Sequence, residues 1–164
     1  MSNVATVSYV WAKRGVQPKV LQQQRVKERR TLFGCVEPAT GKTLTSVTLK
    51  GNTLTFFCFL LKITQFYPNQ KVYVVLDNVR FHHAKRLNNI LLRYRHRIEL
   101  IFLPPYSPNL NPMERVWWYM RKKITHNRCI LSMNERINRF NELFKPLENT
   151  NELCKNLSKL CINI

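Results

Sequence analysis

Two short apolar runs, Lys71–Leu76 (KVYVVL) and Ile98–Leu103 (IELIFL), flank a basic amphipathic stretch, and no other feature constrains the fold as strongly. Each run has strand length and reads as a strand buried on both faces. Between them, His83–Arg97 puts Leu87, Ile90, Leu91 and Tyr94 on one helical face and basic residues elsewhere. A second helix is predicted from Pro112 to about Thr125. Strand, helix, strand, helix implies parallel pairing with crossover helices. It also sends Asp77, the residue after the first run, to a strand's carboxyl end, where parallel α/β sheets bind ligands.

The remaining segments extend this α/β pattern. Residues 4–11 (VATVSYVW) are β-branched and aromatic and read as a strand. Residues 12–30 are basic and irregular, broken by Gly15 and Pro18. Residues 31–36 and 43–49 form a predicted hairpin around the turn Pro38-Ala39-Thr40-Gly41. Asn52 is the expected N-cap of a helix running through Thr64, nearly all apolar and hence packed on a sheet. In the tail, Leu153, Leu157, Leu160 and Ile164 make a stripe at helical spacing. At 164 residues the chain has room for one domain with a real core and not for two.

Charge narrows the function. There are 27 Lys and Arg against 9 Asp and Glu, a formal net charge of +18, which favours a polyanionic partner: DNA, RNA, a ribosome or an anionic membrane. The five cysteines, at 35, 58, 129, 154 and 161, are odd in number and include no CxxC pair, so reduced thiols are expected rather than a disulfide framework or zinc knuckle. The first residues lack a signal-peptide pattern. The longest apolar stretch, 54–61, is far shorter than the ~20 residues of a membrane helix, so a soluble protein is expected.

With so few acidic residues, their positions carry information. Asp77 is the only aspartate. It reads either as a cap for the following turn or as a functional carboxylate at a strand end. Glu114 follows Asn111-Pro112-Met113, so Asn111 can be an N-cap with Pro112 at N1 and Glu114 at N3, a capping-box-like arrangement. The alternative is that two carboxylates from separate elements converge to hold a hard cation such as Mg²⁺ or Mn²⁺ for phosphoryl transfer. His82 and His83 follow Asp77 closely and suit a surface turn near phosphate better than a metal site. Trp117 and Trp118 are adjacent helical positions about 100° apart, so one faces the core and the other is partly exposed. Arg121, Lys122 and Lys123 either complement the helix dipole or contact phosphate.

The segments VVLDNVRFHHAKRL and IELIFLPPYSPNLNPMERVWWYMRKKI resemble DDE transposases of the Tc1/mariner superfamily, most closely the bacterial IS630 group. That pattern is a strand ending Leu-Asp-Asn, an apolar strand, a Leu-Pro-Pro-Tyr-Ser-Pro-x-Leu-Asn-Pro loop, then Glu and Trp. It is matched by Leu76-Asp77-Asn78, Leu103 to Pro112, Glu114 and Trp117, with the two acids 37 positions apart. Trp11-Ala12-Lys13-Arg14-Gly15-Val16-Gln17-Pro18 is similar to the family's Trp-Ala-x-x-Gly-x-x-Pro segment. The resemblance covers about residues 7–128.

The resemblance implies an RNase H-like fold, a mixed sheet flanked by helices, over 1–128, with a helical tail over 129–164. It implies metal-dependent DNA cleavage and strand transfer, Mg²⁺ or Mn²⁺ as cofactor, and Asp77 and Glu114 as the second and third catalytic, metal-binding carboxylates. DNA, as transposon ends and target, is the implied partner, and a homodimer is allowed. Lys13, Arg14, Arg121, Lys122 and Lys123 are the candidate DNA contacts. The implied location is cytoplasmic and nucleoid-associated in a bacterium, nuclear in a eukaryote. The family's first catalytic aspartate lies on the first strand, well before the Trp-Ala segment. Here only ten residues precede Trp11 and none is acidic. The expectation is therefore an N-terminally truncated catalytic domain, or one half of a protein completed by frameshifting, inactive by itself. The alternatives are a non-catalytic DNA-binding remnant or domesticated RNase H-like module, an unrelated nuclease using other acids (Glu37 being nearest to a strand end), and a folding-defective relic.

Overall fold

The computed structural model describes residues 12–16, 19, 28–78, 85–105, 107–126, 132–145 and 151–159. The strand expected at 4–11, the two histidines at 82 and 83, and Leu160 and Ile164 of the tail stripe lie outside those residues.

The expected hairpin is present. Strands β1 (Thr31–Val36) and β2 (Thr43–Thr48) pair antiparallel, with Thr31 opposite Thr48 and Val36 opposite Thr43. Its turn is closed by the Glu37 amide donating to Lys42 O at 2.8 Å and the Gly41 amide to Glu37 O at 2.7 Å. Gly41 has φ 75°, the left-handed region that glycine enters without a steric penalty. A side-chain carbon there would also sit 2.0 Å from the Asn151 carbonyl oxygen, so the turn is where the tail docks.

Helix α1 (Thr53–Phe66) begins where the sequence places it. Asn52 Oδ1 accepts from the Thr55 amide at 2.9 Å, and Thr55 Oγ1 accepts from the Asn52 amide at 3.0 Å. Its far end is held by Arg97, whose guanidinium donates to the carbonyls of Thr64 (2.9 Å), Tyr67 (2.8 Å) and Pro68. A cation on the last carbonyls of a helix complements the dipole. Phe56, Phe59, Leu60 and Ile63 form the buried face of α1.

Strands β3 (Val72–Leu76) and β4 (Ile98–Phe102) pair in parallel, joined through α2 (Lys85–Tyr94), as the crossover argument requires. Helix α2 is described from Lys85 and ends at Tyr94, short of the expected Arg97, because residues 95–97 turn into β4. Burial corrects the expectation of strands covered on both sides. Val72, Val74 and Leu76 face the α1 core, whereas Tyr73 and Val75 are 58 % and 52 % exposed. Among the described residues, helices cover only one face of this pair. The single mixed sheet is likewise not seen among them: the four strands form two separate two-stranded sheets, β1–β2 and β3–β4, in a mixed α/β arrangement.

The second core lies on the other side of the hairpin. Helix α3 (Pro112–Met120) packs Met113, Val116 and Met120 against Phe140 and Phe144 of α4 (Met133–Phe144) and Cys154 of α5 (Glu152–Lys159), with Leu32 and Val36 of β1 against them. The helix expected to run to Thr125 changes to a π-helical turn over Arg121–Thr125. In the tail Cys154 is fully buried, while Leu153, the one member of the apolar stripe whose burial is described, is 43 % exposed. Asn151 Oδ1 caps α5 by accepting from the Cys154 amide at 3.2 Å. This helix meets the hairpin turn through the Asn151 amide on Thr40 O at 2.9 Å, and that contact sets its rotation.

Two substitutions test this packing by thermal unfolding. Leu60→Ala is expected to cost about 2–5 kcal/mol, because Leu60 is 1 % exposed in the α1 core. Gly41→Ala is expected to cost at least about 1–2 kcal/mol from backbone strain alone, with amide protection lost first in α5.

Candidate functional site

Asp77 follows β3 directly, and its position is fixed by backbone ties between the two strand ends. The Leu103 amide donates to Leu76 O at 2.8 Å, and Asn78 Nδ2 donates to Leu103 O at 2.6 Å. The loop after β3 and the loop after β4 are thereby locked together at one edge. From Leu103 the chain runs through Pro104 and Pro105 to a 3₁₀ turn at Pro108–Leu110, closed by the Leu110 amide on Ser107 O at 3.1 Å, and then into α3. Prolines stiffen this crossing because their φ is preset and they donate no amide hydrogen.

Asn111 caps α3 as expected, its Oδ1 accepting from the Met113 amide at 3.0 Å, with Pro112 in the first turn. Glu114 does not complete a capping box. Its exposed carboxylate makes no hydrogen bond or ion pair with any described residue. By contrast, α1 shows what the full reciprocal arrangement looks like. The cap reading of Glu114 thus accounts for its place in the first turn but not for its free carboxylate.

Asp77 and Glu114 both line one groove of about 700 Å³. One wall is β1, the other β3; Phe56, Phe59 and Ile63 of α1 lie along it, as do Met113 and Trp117 of α3. Both carboxylates are exposed to solvent there. Oxygen donors of this kind suit a hard divalent cation such as Mg²⁺, which takes one or two carboxylates and keeps several waters. They are too few for a pair of ions. No cluster of three or more His, Cys, Asp or Glu able to hold a metal occurs among the described residues.

Glu37 also lines the groove but is already used. Its carboxylate accepts from Thr40 Oγ1 in the hairpin turn and from Tyr67 Oη at 3.3 Å. Tyr67 stands before β3, and Asp77 after it. The five residues of β3 put about 17 Å between the two ends. The Glu37 carboxylate is thus engaged by the hairpin turn and by Tyr67.

The other candidates fall as follows. Trp117 is the inward indole, 6.4 Å from the Phe140 ring and 5.9 Å from Phe144. It lies so close over β1 that a side-chain carbon on Gly34 would be 2.6 Å from it. Trp118 is 51 % exposed, with Lys122 Nζ 5.1 Å from its ring centre. Arg121, Lys122 and Lys123 are exposed on the π-helical turn, and Lys13 and Arg14 on a turn closed by the Val16 amide on Lys13 O at 2.9 Å. Cys35, Cys58 and Cys154 are free thiols. No described helix is long and apolar enough to cross a membrane. Sequence reasoning missed the Asn78 lock and the groove itself. Asn78 was legible only as part of a motif, and the groove is a property of two sheets that no local pattern encodes.

Burial pushes the Cys35 thiol on the groove wall up from 9.0 to about 11. Folding therefore favours the neutral thiol: that contribution is complete below pH 9 and is lost as pH rises towards 11. Burial and the Glu37 carboxylate push Tyr67 up from 10.0 to about 12, in the same direction. The urea midpoint is expected to fall between pH 9 and 11, and less so in Cys35→Ala. At pH 8, peptide mass mapping is expected to show iodoacetamide reacting with exposed Cys58 well before Cys35.

Comparison with known proteins bears on the same residues. The family model described as DDE superfamily endonuclease matches residues 1–136. A 39 kDa protein of insertion element IS630 from Shigella sonnei, described as uncharacterized, is 26 % identical over 140 residues, covering 83 % of this chain and 40 % of that protein. The uncharacterized protein y4pE/y4sA of Sinorhizobium fredii is 40 % identical over 55 residues, 34 % of this chain and 37 % of that protein. The chain thus spans 40 % or less of the length of these curated relatives.

Proposed function

Because the chain belongs to the DDE superfamily endonucleases, we propose that it is part of the catalytic domain of an insertion-sequence transposase, a metal-dependent DNA-cutting and strand-transferring enzyme. The observation that supports this reading is that Asp77, after the end of β3, and Glu114, in the first turn of α3, line the same groove. In this reading both are metal ligands, for Mg²⁺ or Mn²⁺. When bound, the ion stabilises negative charge on the oxygens of the phosphate under attack. The protein's own part is to hold the two carboxylates at fixed places: Asn78 anchors one loop, and the proline crossing and the Asn111 cap anchor the other.

DNA is the proposed partner. The +18 charge supports this, as do the exposed Arg121, Lys122 and Lys123 at the far end of the helix that carries Glu114, and Lys13 and Arg14 at the other candidate contact. A homodimer on paired transposon ends is compatible with it. Residues 1–128 form the catalytic portion in this reading and 129–164 a helical tail that buttresses α3.

The 164 residues by themselves are proposed to be inactive. A two-metal reaction clamps both the attacking and leaving oxygens and needs a carboxylate shared between the ions, and this sequence has no aspartate besides Asp77. The same shortage favours a second reading, a non-catalytic DNA-binding module. The two separate in one set of assays on a nicked transposon-end duplex with Mn²⁺. No strand cleavage is expected from the wild-type chain, with weak Mn²⁺ binding by calorimetry that Asp77→Asn and Glu114→Gln abolish. Cleavage that disappears in Asp77→Asn sinks the inactivity claim. Undiminished Mn²⁺ binding in both variants removes the metal-ligand assignment and leaves the binding-module reading.

DNA affinity is expected to fall steeply with salt. Replacing Arg121, Lys122 and Lys123 by alanine together is expected to reduce the slope of log K against log salt by up to about 3, roughly one per phosphate contact. An unchanged slope places the DNA elsewhere.

A further inference from the structure

Glu114, Trp118 and Lys122 follow one another at four-residue intervals along α3 and the π-helical turn that continues it. Four residues of α-helix advance about 6 Å and return to nearly the same face. A carboxylate, an indole and an ammonium thus stand in one row, and all three are exposed. The packed side of the same helix carries Met113, Val116, Trp117 and Met120, which meet the second core. Trp117 supplies the indole for that packing, and Trp118 is not part of it. Helical side chains lean toward the N-terminus. This directs the Trp118 ring toward the turn of Glu114, just as Lys122 leans onto Trp118, with its Nζ 5.1 Å from the ring centre.

An indole held in water beside a cation suits a flat π-system that brings an anion with it. A nucleotide is such a ligand: its base stacks on an aromatic ring, and its phosphate pairs with an ammonium or guanidinium. We propose that Trp118 is a stacking platform for an unpaired base of a DNA strand, with Lys122 and Arg121 on the adjoining phosphate. Bases inside a duplex are stacked on one another and offer no free face. The platform therefore selects a nucleotide at a frayed, nicked or overhanging end over intact duplex. Charge favours this occupant over an apolar one. Arg115, Arg121, Lys122 and Lys123 all lie exposed within about two turns of the indole. Lys123 repeats the pairing of cation and ring, its Nζ 5.7 Å from the centre of the Tyr119 ring. The choice of DNA as the polyanion rests on the function proposed above. In that reading the stacked base belongs to a nucleotide about one helical turn from the phosphate at Glu114.

Fluorescence anisotropy with two DNA probes of equal charge tests the proposal on the full chain. One is a duplex with a short 3′ overhang of thymidines. The other has the same duplex and overhang backbone, but its overhang sugars carry no bases. The wild-type chain is expected to bind the base-bearing probe about tenfold more tightly than the abasic one. Trp118→Ala is expected to bring that ratio close to one, and Trp118→Phe to keep most of it. Lys122→Ala is expected to weaken both probes alike, since it removes a phosphate contact and not the platform. Each ratio is read on a single protein sample, so partial unfolding of a variant lowers both affinities together and leaves the ratio intact. A wild-type ratio of one, or a Trp118→Ala ratio equal to that of the wild type, overturns the proposal. Equal binding of both probes by the wild type overturns it alone and leaves the DNA reading standing. Failure of the wild type to bind either probe or a blunt duplex overturns the DNA reading and the proposal together.

Discussion

Both sheets rest on one face of α1. Phe56, Phe59, Leu60 and Ile63 meet Phe33 and Leu44 of the hairpin and Leu76 and Ile98 of the parallel pair in a single buried cluster. Phe33 stacks at 5.7 Å on Phe59 and lies 5.8 Å from Phe56. Among the described residues the two sheets share no ladder, and this helix face is packed against both of them. Phe56, Phe59 and Ile63 of this face also line the groove that Asp77 and Glu114 border. The ends of α1 are correspondingly well secured, by the Asn52 and Thr55 box at one end and by Arg97 on three carbonyls at the other.

The hairpin is the part of the molecule under the tightest steric demand. Its β1 strand is covered on both faces: Phe33 and Cys35 turn to the α1 cluster, Leu32 and Val36 to the α3 cluster. Gly34 allows the Trp117 ring to lie against the strand. That contact brings the start of α3, and hence Glu114, to the groove. The inward tryptophan is therefore a positioning element for the carboxylate three residues before it. Its neighbour Trp118 faces solvent with a lysine over its ring.

Local chemistry was readable where it depends on neighbours in the chain. The hairpin, the Asn52 cap, the crossover between β3 and β4, the Asn111 cap and the split between Trp117 and Trp118 all depend on residues within a few positions of one another. The errors occurred where burial depends on a distant element. Tyr73 and Val75 read as core because the run is apolar, yet no described helix covers them. The tail stripe read as one face of a helix, and in α5 it is Cys154, outside that stripe, that is fully buried while Leu153 is exposed.

The candidate carboxylates divide the same way. By itself the sequence determined that Asp77 ends a strand and that Glu114 opens a helix, because strand runs and helix caps are specified by residue type and spacing. It also determined the family, through a proline loop of unusual composition between two acids. Only the tertiary structure decided that the two acids border one groove and that Glu37 is engaged in the hairpin turn and by Tyr67. The meeting of Asp77 and Glu114 on one groove relates residues 37 positions apart, whose side chains pack among elements distant in the chain. No period of three or four residues carries that information.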